Sequence, residues 1–133
     1  MTEQSPAAVA AAYFEAVERG DVPGAMGLLS PEVQWHQPGA NRFSGDHSGI
    51  DEVGALLGGM MEVSGGSFQL SVTGPPMVNG ELVAVSVRFA GSRAGASMDM
   101  EGVDLLTVRG GKIVEVRLFS GDGPAEDAFW GGV

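Results

Sequence analysis

The segment MDMEGVDLLTVRGGKIVEVRLF, residues 98–119, decides the fold of this chain. Its two apolar-rich runs, Met98–Val108 and Ile113–Phe119, are typical of β-strands. The dipeptide Gly110-Gly111 stands between them and favours the tight turn of a hairpin. The segment therefore predicts two antiparallel strands that lie side by side, and it places a β-sheet in the second half of the chain.

Two more strands are predicted just upstream of this hairpin. Apolar and polar residues alternate with a period of two through 68–73, and Leu82–Phe89 is a second strand-like run. Residues 74–76, Gly-Pro-Pro, separate the two runs, because proline cannot donate to a strand ladder. The stretch from Gly121 onward is predicted as a loop whose Phe129-Trp130 segment packs back on the sheet.

Three helical segments are predicted in the first half of the chain. Each begins at a residue that favours a helix start: Ser5 before Pro6, then Asp21, then Ser48 with Asp51 three residues later. Gly20 ends the first helix, and Pro31 ends the second. The predicted helices cover 6–19, about 22–30 and about 49–60, with a short strand at 32–37 and a loop at 39–49 between the last two.

This order, helices first and strands afterwards, is typical of an α+β fold. We expect a cone-shaped barrel in which three N-terminal helices pack on a curved, mostly antiparallel sheet. The whole chain, residues 1–133, is predicted to form a single domain. The space between the helices and the concave face of the sheet is where a small ligand would bind.

The composition excludes several classes of function. Lys and Arg total 7 against 17 Asp and Glu, so the formal net charge is −10 and nucleic acid or an anionic membrane would be repelled. The absence of cysteine excludes disulfides and thiolate chemistry, and two histidines make a multi-histidine metal site improbable. We therefore expect no metal and no cofactor. Glu3 and the lack of an N-terminal basic region indicate a cytoplasmic protein with no signal peptide.

The chain resembles the nuclear transport factor 2-like superfamily and, within it, SnoaL-like polyketide cyclases and ketosteroid isomerases. The resemblance covers nearly the whole chain. It rests on the order and spacing of short motifs: Tyr13-Phe14-Glu15-Ala16-Val17 with Gly20-Asp21, Val33-Gln34-Trp35-His36 with Pro38-Gly39, Ser44-Gly45 with Gly49-Ile50, 110–116 (GGKIVEV), and Asp127-Ala128-Phe129-Trp130. It implies the cone fold with an internal pocket for a small apolar molecule, and a homodimer formed through the sheet.

Tyr13 and Asp104 are the candidate catalytic residues. Asp104 lies in a strand that is otherwise apolar on both faces, so its carboxyl must be paired, neutral or functional. The resemblance implies that Tyr13 and Asp104 occupy the positions where ketosteroid isomerases keep their two oxyanion donors. Such donors stabilise the negative charge that develops on a carbonyl oxygen during enolisation. Two alternatives stay open: Tyr13 as an ordinary core residue, and Asp104 at an edge or paired with an arginine (Arg88, Arg109 or Arg117).

Gln37 departs from the isomerase pattern. Ketosteroid isomerases place an aspartate base before the proline that corresponds to Pro38, and glutamine cannot abstract a proton. The resemblance to SnoaL-like cyclases then implies that Asp104 itself transfers the proton, with Tyr13 and Gln37 as orienting groups. We predict that five residues contact the ligand: Trp35, His36, Gln37, Met100 and Phe119. Strand alternation places Trp35 and Gln37 on one face of their strand and His36 on the other.

Three functions are compatible with the sequence. The first is a cofactor-free enzyme that cyclises or isomerises an apolar carbonyl compound, of polyketide or terpenoid type, through enolisation. The second is a non-catalytic ligand-binding or dimerising protein of the same fold, with Val85, Val87 and Leu118 as apolar interface residues. The third is epoxide hydrolysis, which in limonene-epoxide hydrolases uses an arginine two residues before an aspartate. Gly102 stands at that position here.

Overall fold

The fold is a curved, unclosed seven-stranded sheet with four helices packed on it, seen in a computed structural model that describes residues 5–132. The expected α+β cone is confirmed. Glu3 lies outside the described residues. The helices are α1 (Pro6–Glu18), α2 (Val22–Met26), α3 (Ile50–Val63) and α4 (Gly123–Trp130). The strands are β1 (Leu29–Gln37), β2 (Gly45–Ser48), β3 (Gln69–Val72), β4 (Met77–Asn79), β5 (Leu82–Arg93), β6 (Ala96–Arg109) and β7 (Lys112–Ser120).

The strand order is β2-β1-β7-β6-β5-β3, and β4 also pairs with β5. All pairs are antiparallel except β1 with β7, which is parallel. The predicted hairpin is therefore β6–β7, with its turn at Gly110 and Gly111, which both adopt positive φ. This hairpin places β6 near the centre of the sheet, with a strand on each side of it.

The helix starts follow local chemistry. The Ser5 side chain accepts a hydrogen bond from the Ala8 N–H at 3.1 Å, and Pro6 stands in the first turn of α1, as predicted. The predicted cap of α3 is wrong: its N-cap is Gly49, whose φ of 87° suits glycine, and Ser48 lies in β2. The Ser48 backbone N–H donates instead to Glu52 at 2.8 Å, which still ties the helix start to the strand.

Three element predictions need correction, and one short strand was not predicted. The second helix ends at Met26, and β1 begins at Leu29 and runs through Pro31. Pro31 is tolerated because the β1–β7 register is irregular between Leu29 and Gln34, so the ladder does not need its N–H. The predicted loop at 39–49 contains β2, the predicted break near residue 76 is followed by β4, and the C-terminal loop is the helix α4.

The core fills the space between the inner face of the sheet and the helices. Val83, Val85 and Val87 of β5 are at most 1% exposed, because the odd-numbered residues of that strand point inward. The expectation that Val85 and Val87 face solvent as dimer contacts is therefore wrong, and Leu118 is packed against the core as well. Among the described residues, no helix is long and apolar enough to cross a membrane.

Candidate active site

A cavity of about 70 Å³ lies between the inner face of the sheet and the helices α1 and α4. Its walls are mostly apolar and aromatic, with Phe14, Phe68, Phe89 and Trp130 among them. A few polar side chains converge on this apolar space, which is the usual composition of a small-molecule site. The polar residues that line it are Tyr13, Gln37, Asp104, Ser120 and Glu126.

Asp104 lies at the centre of this arrangement. It is on β6, between Val85 of β5 and Leu118 of β7, and it is 8% exposed. Among residues 5–132, none forms a side-chain hydrogen bond or ion pair with its carboxyl group. Burial, and secondarily the negative charge of Glu126, raise the pKa of Asp104 to about 7. The carboxyl group is therefore present in both protonation states near neutral pH.

The arginines that were candidates to neutralise Asp104 are engaged elsewhere. The Arg88 guanidinium binds Asp99 through two hydrogen bonds of 2.7 and 2.9 Å. Arg109 is paired with Glu81, and Arg117 is paired with Glu115. All three ion pairs involve side chains on the outer face or at the end of the sheet, so the alternative of an arginine-paired Asp104 is wrong.

Tyr13 is on α1, is 5% exposed and lines the same cavity as Asp104. Its ring packs edge-on against Phe14, with ring centroids 5.1 Å apart. Burial, and then the nearby charge of Asp104, raise the pKa of the Tyr13 hydroxyl far above its ordinary value. Tyr13 therefore remains a neutral hydroxyl, which is the form that donates a hydrogen bond.

Gln37 is held by its neighbour on the same face of β1. The Trp35 indole N–H donates to the Gln37 side-chain oxygen at 3.0 Å. Because an indole nitrogen only donates, this bond fixes which end of the amide is the oxygen. The Gln37 oxygen accepts from Trp35, and the NH₂ end of the same amide is the hydrogen-bond donor that Gln37 can offer to a ligand.

Glu126 is the site residue that the sequence analysis missed. It is 5% exposed on α4, and its carboxylate accepts hydrogen bonds from the Ser120 hydroxyl and from the Trp130 indole N–H, the latter at 3.2 Å. The signal was present in the sequence. Asp122 and Pro124 mark a helix start, and residues 126 and 130 are then one turn apart on the same face. Because this segment was predicted as a loop, the buried carboxylate of Glu126 was not identified.

The other four predicted contact residues lie in four different environments. Trp35 lines the cavity, because it is on the inward-pointing face of β1 together with Gln37. The His36 ring lies on the opposite face, where its two nitrogens are 2.8 Å from Asp46 and 2.8 Å from Glu115. Met100 is buried opposite Phe89 and is not among the described residues that line the cavity. Phe119 is at the rim and 53% exposed, because Leu118 takes the inward position beside Asp104.

This fold is the cone-shaped domain of the nuclear transport factor 2-like superfamily. The SnoaL-like domain family matches residues 10–116, and the chain therefore belongs to that family. Over 131 residues the chain is 30% identical to the uncharacterized protein Rv0034 of Mycobacterium tuberculosis, covering 98% of this chain and 99% of that protein.

Solved structures support the same assignment. A crystal structure of a protein of unknown function with a cystatin-like fold, from Xanthomonas campestris, is 46% identical. It has a TM-score of 0.93 and covers 97% of this chain and 100% of its own. A candidate polyketide cyclase of Pseudomonas putida is 19% identical with a TM-score of 0.70, covering 93% of this chain and 98% of its own. That last similarity shows the fold alone.

Proposed function

We propose that this protein is a cofactor-free enzyme that moves a proton next to the carbonyl group of an apolar compound of polyketide or terpenoid type. The enolate formed in this way isomerises or closes a ring. One observation carries the proposal: an unpaired carboxyl group, Asp104, with a pKa of about 7 in an apolar cavity. A proton-transfer group works best when its pKa is close to the working pH.

In this mechanism the Asp104 carboxylate removes a proton from the carbon next to the substrate carbonyl. The electron pair of the broken C–H bond moves to the carbonyl oxygen, which becomes an enolate oxygen. The Tyr13 hydroxyl and the Gln37 NH₂ group donate hydrogen bonds to that oxygen. In isomerisation, protonated Asp104 returns the proton to the far carbon of an enolate that is conjugated with a C=C bond. In ring closure, the enolate carbon forms a bond to the carbon of a second carbonyl group, the π electrons of that group move to its oxygen, and this oxygen takes the proton from Asp104. Each donor of this kind typically contributes a factor of about 10²–10³ in rate.

Glu126 affects this chemistry through the pKa of Asp104. Its carboxylate is held by two neutral donors, Ser120 and Trp130, so its charge is not cancelled by a cation. That charge raises the pKa of Asp104 in addition to burial. We assign Glu126 as a positioning and tuning residue, which keeps Asp104 able to hold a proton near neutral pH.

Hydrogen–deuterium exchange tests the proposal without knowledge of the natural substrate. Apolar cyclic ketones and diketones are incubated with the protein in D₂O, and loss of the α-proton signal is followed by NMR. We expect catalysed exchange by the wild type, and a reduction of roughly 100-fold or more in Asp104→Asn, because its amide cannot take up the proton. Asp99→Asn, on the outer face of the same strand, is the matched control and should exchange at the wild-type rate.

Equal rates for wild type and Asp104→Asn would contradict the proposal. The Tyr13→Phe variant separates proton transfer by Asp104 from stabilisation of the enolate oxygen, since it removes only a donor to that oxygen. We expect it to slow exchange by about 10²–10³ while leaving the pH at half-maximal rate close to that of the wild type.

A second candidate function is binding of the same class of compound without turnover. The observation that favours it is Gln37, a residue that cannot act as a base, at the position where the similar isomerases have an aspartate. Tight binding of the ketones with no exchange in D₂O would favour this alternative. Epoxide hydrolysis by an arginine-containing relay has no support, because none of the described cavity residues is an arginine and Gly102 stands where that arginine would be.

A further inference from the structure

We propose that the groove between α1, α2 and α3 binds the tail of the substrate, and that the substrate is a neutral, elongated, largely apolar molecule with its carbonyl group near one end. This inference rests on the proposed function, because it uses the cavity around Asp104 as the site of the reacting carbonyl. The groove has a volume of about 710 Å³ and extends to β3 at its far side.

Size is the first argument. The cavity around Asp104 has a volume of about 70 Å³, whereas sites for whole organic ligands are roughly 300–1,000 Å³. The cavity therefore accommodates a carbonyl group and a few neighbouring atoms, and the rest of the molecule must extend outside it. The groove provides the missing volume.

Continuity is the second argument. The cavity and the groove share part of their walls, so the two spaces are adjacent and are bounded by the same side chains. The residues common to both are Tyr13, Val17, Met60, Phe68 and Leu70. Tyr13 is thus the boundary residue: its hydroxyl is proposed to hold the carbonyl oxygen, and its ring forms part of the groove wall.

The charges along the groove indicate what kind of tail it accepts. The basic residue of its lining, Arg19, is paired with Glu15 at 3.3 Å and with Asp21 at 3.2 Å. The Glu18 carboxylate accepts a hydrogen bond from the Val72 backbone N–H at 2.8 Å. The side chains that would bind a phosphate or carboxylate are therefore already engaged, and the acidic groups would repel one. A neutral tail fits this lining better than an anionic one.

Two glycines of α3 determine the width of the groove. Gly54 and Gly58 are one turn apart and both line it. A Cβ added at Gly58 would meet no atom within 4 Å, and one added at Gly54 would meet only the Met26 side chain at 3.4 Å. Neither has positive φ, so a larger residue is sterically allowed and would also strengthen the helix. Glycine at these positions leaves open space where a side chain would otherwise fill the groove.

Two fluorescent probes test the inference: 2-naphthol, which is a short enolate analogue, and 6-octyl-2-naphthol, which carries an apolar tail. Dissociation constants are measured for the wild type and for Gly58→Leu. Each fully buried methylene adds about fourfold in affinity, so burial of about three to four of the eight tail carbons in this open groove should make the wild type bind the octyl probe on the order of 100-fold more tightly than 2-naphthol. Gly58→Leu should lose most of this difference while keeping the affinity for 2-naphthol.

Ala55→Leu is the matched control, because Ala55 is an exposed residue of the same helix that does not line the groove. It adds the same side chain and should behave as the wild type with both probes. Gly58→Ala is a second variant that places only a methyl group in the groove and should give an intermediate loss. Thermal unfolding of both Gly58 variants is expected at or above the wild-type temperature, so loss of binding is not loss of folding.

The outcomes separate this inference from the proposed function. Equal affinity for the two probes in the wild type, or an octyl advantage that survives in Gly58→Leu, overturns the groove assignment. The proposed function fails if the wild type binds 2-naphthol without favouring its ionised form and the Tyr13→Phe variant binds this probe in the same way. The groove assignment then still stands if the octyl advantage is present and is lost in Gly58→Leu.

Discussion

The inner and outer faces of the sheet shift the pKa of a carboxyl group in opposite directions. On the inner face, Asp104 has apolar neighbours and no cation, and its pKa rises to about 7. On the outer face, Glu115 accepts hydrogen bonds from His36 and Arg117, and its pKa falls below its ordinary value. The two carboxylates are on adjacent strands. The face to which a carboxyl group points therefore decides whether its pKa is raised, so that it keeps a proton near neutral pH, or lowered, so that it forms ion pairs on the surface.

The outer cluster of His36, Asp46, Glu115 and Arg117 joins three strands. His36 of β1 lies between Asp46 of β2 and Glu115 of β7, so it connects the edge strand to the sheet interior. The hydrogen bond with Asp46, and then that with Glu115, raise the pKa of His36, whereas Arg117 opposes this effect. Exposure to solvent limits what this cluster contributes, because such ion pairs are screened.

The largest expected effect is on stability, in Asp104→Asn. Ionisation of buried Asp104 is unfavourable only in the folded protein, since the pKa is about 7 there and about 3.9 in an unfolded chain. The contribution of Asp104 to wild-type stability should therefore fall by on the order of 4 kcal/mol as the pH rises from 4 to 8. Asp104→Asn should lack this loss and be more stable than the wild type at pH 8, as measured by urea unfolding.

Asp99→Asn sharpens this prediction because Asp99 is on the same strand but faces outward. Its pKa is lowered by Arg88, so its ionised form is favoured in the folded protein. The substitution should give no gain in stability at pH 8. A comparable gain in both variants would mean that Asp104 is not distinguished by its burial.

A smaller effect is expected on the titration of Asp104 in Glu126→Gln. The charge of Glu126 is the secondary cause of the raised pKa of Asp104, after burial. Removing that charge should lower the pKa of Asp104 and move the pH dependence of α-proton exchange to lower pH. The amide oxygen can still accept from Trp130, so the fold should persist. An unchanged or higher midpoint would contradict the tuning role of Glu126.

A still smaller effect is expected on the outer face, in His36→Gln. Because the pKa of His36 is raised in the folded protein, its contribution is complete below pH 6.5 and is lost as the pH rises through the folded value. The variant should therefore lose more stability at pH 6 than at pH 9, by at most about 1 kcal/mol, since the side chain is 32% exposed. Equal losses at both pH values would show that the protonated ring is not what joins the strands.

The smallest effect is expected in Arg88→Gln. Arg88 and Asp99 form a two-bond ion pair with good geometry, but both side chains are more than half exposed. Exposed pairs of this kind often contribute nothing measurable. We expect no resolvable change in the thermal unfolding temperature and no change in α-proton exchange. A clear loss of exchange would mean that the outer face acts on Asp104.

The strands and the first helix could be predicted because their signals are local. Ser5-Pro6, the alternation through residues 68–73 and the Gly110-Gly111 turn each specify their own structure. Asp104 could be predicted for the same reason: a carboxyl group in an apolar strand is conspicuous wherever the strand lies. The pairing of β1 with β7 could not be predicted from such signals, because it joins residues about 80 positions apart.

Predictions failed where tertiary contacts override composition. The polar residues of β2 form a strand because Gln34–Gln37 of β1 provide the hydrogen-bond partners. Glycine and proline near the start of α4 suggested a loop, whereas Asp122 caps a helix there. That single error concealed Glu126. The inward direction of Val85 and Val87 was also missed, although its signal is local: Ser86 and Arg88 stand at the alternate positions of β5 and mark the other face as the outer one.

The most direct test of the account is the titration of Asp104 itself. Carboxyl ¹³C chemical shifts of protein labelled at aspartate are followed from pH 3 to pH 9, and Asp104→Asn identifies the Asp104 signal by its absence. We predict a midpoint of about 7 for Asp104 in the wild type. A midpoint close to 4, the value of an ordinary aspartate, would show that the inner face does not keep a proton on Asp104 and would contradict the proposed chemistry.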